Sequence, residues 1–79
     1  MEINIAAQVQ TKKIISYIVL CIKNFSREFN LSFVESYRYL ENFGGLKFII
    51  KHYEVEHTLS IDDAVEDMRA ICRRNGGLI

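Results

Sequence analysis

Six carboxylates, Glu54, Glu56, Asp62, Asp63, Glu66 and Asp67, fall in residues 54–67, a stretch without lysine or arginine, and His52 and His57 flank or enter it. Carboxylates at this density can form an acid–base pair, hold a divalent cation, or present charge to a basic partner. An acid–base pair needs a cleft and two unlike environments that hold one carboxyl protonated and the other ionised. Asp62 and Asp63 instead occupy the first turn of an expected helix, where negative charge complements the positive end of the helix dipole. A solvated acidic face, available to a basic protein, is the expected state.

Cys21, Cys72, His52 and His57 nominally make a two-cysteine, two-histidine zinc set. The cysteines lie about fifty residues apart inside apolar helical stretches, a spacing that matches no compact zinc motif. No metal and no cofactor are expected. His57-Thr58 stands just ahead of a helix start, where a histidine more often fixes a loop through a backbone hydrogen bond than it binds a ligand. There is no nucleophile–base pair and no glycine-rich phosphate loop, so the chain does not read as an enzyme.

Seventy-nine residues make one domain, 49% apolar and 25% charged. A chain of this size buries only about 60% of the surface its unfolded form exposes, so a shared interface would add needed stability. Ten basic residues balance ten acidic ones, which leaves no net field toward nucleic acid or an anionic membrane. The distribution is uneven: residues 1–53 carry seven Lys/Arg and four Asp/Glu, residues 54–79 three and six, giving +3 and −3. The apolar run from Ile14 to Ile22 is bracketed by Lys12, Lys13 and Lys23 and is far shorter than the roughly 20 residues a spanning helix requires. With no signal-peptide pattern, free buried thiols and a reducing, cytoplasmic setting are expected.

The elements that must position these groups read as helices. Residues 1–10 form a lead-in: Ile3 and Ile5 alternate as in a short strand, while a helix starting near Asn4 is favoured. Residues 11–79 form a single helical domain. From Thr11, an expected N-cap, Ile14, Ile18, Ile22, Phe25 and Phe29 recur at helical spacing. Tyr17 and Leu20 fall off that stripe and are candidate contact residues. Asn30 ends this helix, and Ser32-Phe33-Val34-Glu35 has the form of a capping box opening a second, with Val34, Tyr37 and Leu40 expected inside. Gly44-Gly45 stops it. Leu46, Ile49, Ile50 and Tyr53 mark a short third helix, 54–59 reads as a connector, and Ser60 caps a fourth with Ile61, Ala64, Val65, Met68, Ile71 and Cys72 inward. The expected fold is an all-α, compact four-helix bundle.

The turn between two helices in residues 32–53 invites comparison with a DNA-binding helix-turn-helix. The would-be recognition helix offers only Lys47 and Lys51 to phosphates and runs into the acidic segment, so nucleic acid is not the expected partner of the isolated chain.

Several elements occur together and in order: the Tyr37-Arg38-Tyr39-Leu40 run, the Phe43-Gly44-Gly45-Leu46 turn, Tyr53-Glu54-Val55-Glu56-His57-Thr58-Leu59-Ser60, Asp62-Asp63-Ala64-Val65-Glu66-Asp67, and Cys72-Arg73-Arg74-Asn75-Gly76-Gly77. In these the chain resembles the small bacterial domain-of-unknown-function family thirty-seven ninety-one, over roughly residues 11–77. The resemblance implies a small helical protein. Some members resemble accessory components encoded beside larger proteins related to ADP-ribosyltransferases, which implies an antitoxin-like or accessory pairing.

The expected function is non-catalytic binding of a larger protein, basic at the contact, through Tyr17, Leu20, Glu54, Glu56, His57, Asp62, Asp63, Glu66 and Asp67. The alternatives are a homodimer burying Tyr17, Leu20 and the Leu78-Ile79 tail and, ranked below it, a small DNA-binding regulator. No membrane contact is expected.

Overall fold

The computed structural model describes residues 5–79. Among them the chain forms five helices, α1 (Ile5–Phe29), α2 (Phe33–Asn42), α3 (Gly45–Lys51), α4 (Tyr53–Glu56) and α5 (Ile61–Arg74), and no strand. The all-α expectation holds, but the plain four-helix count omits α4. That single turn occupies the segment read as a connector, because four residues carry no periodicity to recognise. No helix is long and apolar enough to cross a membrane among the described residues.

At 1.5 Å per residue the 25 residues of α1 span roughly 37 Å. Thr11 does not cap this helix. It lies inside it, and its Oγ1 donates to the Ala7 carbonyl at 2.9 Å, the i−4 bond a helical threonine makes readily. The helix start expected near Asn4 lies outside the described residues. Residues 6–16 are exposed apart from Gln10 and Ile14, which are half-buried, whereas Cys21, Ile22 and Phe25 are buried. The N-terminal half of α1 therefore stands out from the bundle and its C-terminal half is part of the core. Leu40, Ile49, Ala64, Val65, Met68 and Cys72 complete that core. Full burial of one large apolar side chain contributes about 1.5–3 kcal/mol.

Helix α2 begins with the reciprocal cap read from the sequence: Glu35 N–H donates to Ser32 Oγ at 3.0 Å and Ser32 N–H to Glu35 Oε1 at 2.9 Å. Its inner face differs from the expectation. Val34 and Tyr37 point outward, while Ser36 and Leu40 are completely buried. A 2.7 Å hydrogen bond joins the hydroxyls of Ser36 and Ser26, and Ser26 also donates to the Ile22 carbonyl at 2.8 Å. Two small, mutually satisfied side chains let α1 and α2 approach where bulkier ones would hold them apart.

The turn into α3 uses its two glycines differently. Gly44 takes φ +83°, the left-handed region. Gly45 sits where a Cβ would come within 2.8 Å of Leu40 Cδ2 and 2.9 Å of Cys72 Sγ, so it permits α2, α3 and α5 to close together. Ile49 and Tyr53 are buried as the spacing predicts, but Ile50 is half-exposed.

Helix α5 starts at Ser60, whose Oγ accepts from Asp63 N–H at 3.1 Å. After it, Asn75 Nδ2 donates to the Phe43 carbonyl at 2.8 Å, and Ile79 N–H donates to the Tyr39 hydroxyl at 3.1 Å. The Arg-Asn-Gly-Gly element thus ties the end of the chain to the α2–α3 turn. Both cysteines are free and buried.

Candidate functional site

Residues 62–67 open α5, and the helical repeat sorts their four acids onto two faces. Asp62 and Glu66 line a groove of about 380 Å³ between α1 and α5, whose other walls are Asn24, Arg27, Glu28 and Val65. Glu66 pairs with Arg69 at 3.0 Å, the ion pair found among the described residues. Arg69 also lies over the Phe29 ring, 5.7 Å from its centre, so this cation is held to the protein's own surface.

Asp63 and Asp67, one position further along, face α4 and the carboxyl of Glu56. The structure corrects the expectation for Glu56, which is only 5% exposed and so is no part of an outward acidic ridge. The single turn of α4 rotates Tyr53 and Glu56, three residues apart, to the same inward side, and leaves Glu54 and Val55 outside. Burial, then a hydrogen bond with Asp67 and the nearby charges of Asp67 and Asp63, push the Glu56 carboxyl up to about 7. Its Oε2 meets no N–H or O–H donor. A carboxylate facing another carboxylate has no donor either, so the hydrogen bond between Glu56 and Asp67 exists only while the pair retains a proton.

Tyr17 also differs from the expectation of a contact residue. Its ring packs edge-on against Tyr53, with centroids 5.5 Å apart, and its hydroxyl is buried beside Cys21 and Glu56. Burial first, then the neighbouring thiol and carboxyl, raise the Tyr17 hydroxyl well above the ordinary tyrosine value. Burial likewise pushes the Cys21 thiol up to about 11, with the neighbouring Tyr17 hydroxyl opposing, and burial raises Cys72 against the Gly45 backbone. Thiols held protonated in this way are poor nucleophiles and poor metal ligands. Leu20, one helical turn from Tyr17, remains half-exposed.

His57-Thr58 closes α4 from below. The Thr58 hydroxyl donates to the Val55 carbonyl and His57 Nδ1 lies 2.6 Å from the Tyr53 carbonyl. A carbonyl only accepts, so the ring proton sits on Nδ1. The imidazole stacks on Tyr53 at 4.4 Å and 3°. Among the described residues no three His, Cys, Asp or Glu side chains are grouped as a metal site.

The family model described as a protein of unknown function, DUF3791, matches residues 16–75. The chain belongs to this family. The match to DUF3791 begins where α1 becomes buried and ends at Asn75, so it takes in the bundle, the α4 turn and both acidic faces of α5 while leaving out the projecting start of α1. No curated protein and no solved structure matches the chain.

Sequence reasoning missed three participants. The Ser26–Ser36 bond and the inward turn of Glu56 involve polar residues that a hydrophobic period assigns to solvent. Cys21 was read as core, and nothing in the letters places its thiol beside Tyr17 and Glu56.

Proposed function

We propose that this protein is a non-catalytic binding module, an antitoxin-like or accessory partner of a larger protein that is basic at the contact. The observation that carries this reading is the outward acidic face. Glu54, Asp62, Asp63 and Glu66 are all exposed, and of these only Glu66 has an ion pair among the described residues. Charge left uncompensated on a molecule of zero net charge favours oriented encounter with a basic surface, speeding association more than tightening it. The groove containing Glu28, Asp62 and Glu66 gives that surface relief into which basic side chains fit. Glu56 and the Tyr17 hydroxyl lie buried beneath the face, Asp67 and His57 border it, and Leu20 extends it on α1. The resemblance of some family members to accessory components encoded beside larger proteins related to ADP-ribosyltransferases suggests where to look for the partner.

The test is coexpression with the neighbouring gene product, followed by capture on the tagged chain. Copurification is expected from the native sequence and is expected to be lost with Asp62→Lys, Asp63→Lys and Glu66→Lys together while the melting temperature stays within a few degrees. Retention of the partner by this triple variant would contradict the reading. The exposed Leu20 and Leu78 favour self-association as the second reading, and light scattering on the isolated chain separates the two: a monomer excludes the homodimer.

A further inference from the structure

We propose that Glu56, Asp63 and Asp67 form a receptor for one cationic side chain of the partner, a guanidinium or ammonium group. This rests on the acidic face being the partner-binding surface, and it names the point on that face where recognition is most selective.

The geometry supplies an anionic site with a deficit. Glu56 is 95% buried, counting from its 5% exposure, yet Oε2 finds no donor. A buried acceptor without a donor is unfavourable, so a group that donates to it is favoured. The groups acting on it include no lysine or arginine: α5 presents Asp63 and Asp67, α1 presents the Tyr17 hydroxyl and Cys21 thiol, and α4 itself contributes Tyr53, against which the His57 ring is stacked. Arg69, the cation next along α5, is engaged by Glu66 and Phe29. Asp63 is exposed and Asp67 half-exposed, so a cation approaches buried Glu56 from the side of the two aspartates.

The ligand chemistry follows from the acceptors, which are all carboxyl oxygens. These carboxyls are not arranged as a metal cage, and a small hard ion needs its oxygens converged within one short coordination shell. A guanidinium carries five donors in a planar fork and serves several carboxyl oxygens at once; an ammonium on a flexible stem does so with three. When the cation enters, it donates to the carboxylates, Glu56 loses its proton to solvent, and the charge of the pair is neutralised in place. Binding and proton release are therefore linked, and association strengthens as pH rises through the Glu56 midpoint.

The experiment uses the whole chain and methylguanidinium chloride as the probe, with sodium chloride at equal ionic strength as control. The carboxyl carbons of Glu56, Asp63, Asp67, Glu54 and Glu66 are followed by NMR through a pH titration. Methylguanidinium is expected to lower the Glu56 midpoint by about half a pH unit or more relative to sodium chloride, with saturable shifts at Asp63 and Asp67, and Glu56→Gln is expected to weaken those shifts several-fold. Equal behaviour in the two salts would overturn the proposal, as would shifts spread evenly over Glu54 and Glu66. Copurification that survives the Lys triple variant fails the partner reading instead, so the two failures are read in different experiments.

Discussion

Asp62 with Glu66 and Asp63 with Asp67 are the same chemistry, four residues apart on the same two turns of α5, and their surroundings make them different. The first pair lines an open groove against α1 together with Arg27, and Glu66 pairs with Arg69. The second faces a buried carboxyl. Water screens the first pair, so its charge is free to act on a partner at little internal cost. The second lies against Glu56, where low polarity and like charge together favour the protonated form. One helix thus carries a surface that stores negative charge and, beside it, a site that stores a proton.

The largest expected effect is on the buried side. A carboxyl whose folded-state value is raised from 4.5 to about 7 contributes its full stability below 4.5 and loses it as pH rises through 7. The protein should therefore be less stable at pH 8 than at pH 5 by about 2–3 kcal/mol from this group. Glu56→Gln keeps the shape, donates to Asp67 and removes the titration, so it is expected to match the native chain at pH 5 and to melt about 10 °C or more above it at pH 8. Calorimetric melts at the two pH values check this; equal melting of both chains at pH 8 would remove the distinction between the two faces.

A smaller change is expected from Asp67→Asn. It removes the neighbouring charge but leaves Glu56 buried, so the loss of stability between pH 5 and pH 8 should fall to about half, roughly 1–1.5 kcal/mol. Denaturant midpoints at both pH values measure it. Ser60→Ala acts on both pairs at once, since the Ser60 cap holds the first turn that carries them. Its expected cost is about 1 kcal/mol at every pH, with no change in slope. Smallest of all, Asp62→Lys or Glu66→Lys should alter stability by about 0.5 kcal/mol or less, since the side chains are exposed; the expected loss is of partner capture.

How much of this could be read from the letters depends on whether local rules decide the outcome. The caps at Ser32 and Ser60, the turn at Gly44 and the inward stripe of α5 are set within a few residues, and they stand as read. Crossing helices decide the rest. Their apolar character places Val34 and Tyr37 inward, but the α1–α2 contact is made by Ser26 and Ser36, and the larger side chains are turned out. Glu56 was placed outward because it is charged. Its burial follows from a single helical turn whose phase is fixed by Tyr53 packing on Tyr17, a contact thirty-six positions away along the chain. The Asp62–Glu66 face was legible, since nothing packs over it; the Glu56 floor beneath Asp63 and Asp67 was not.

Carbon-13 NMR of the Glu56 side-chain carboxyl through a pH titration of the isolated protein tests the contrast between the two faces most directly. A midpoint near 7, lowered when Asp67 is replaced by Asn, is the expected result. A midpoint below about 5, in the ordinary carboxylate range, would contradict it, and the acids of α4 and α5 would then be one uniform solvated surface.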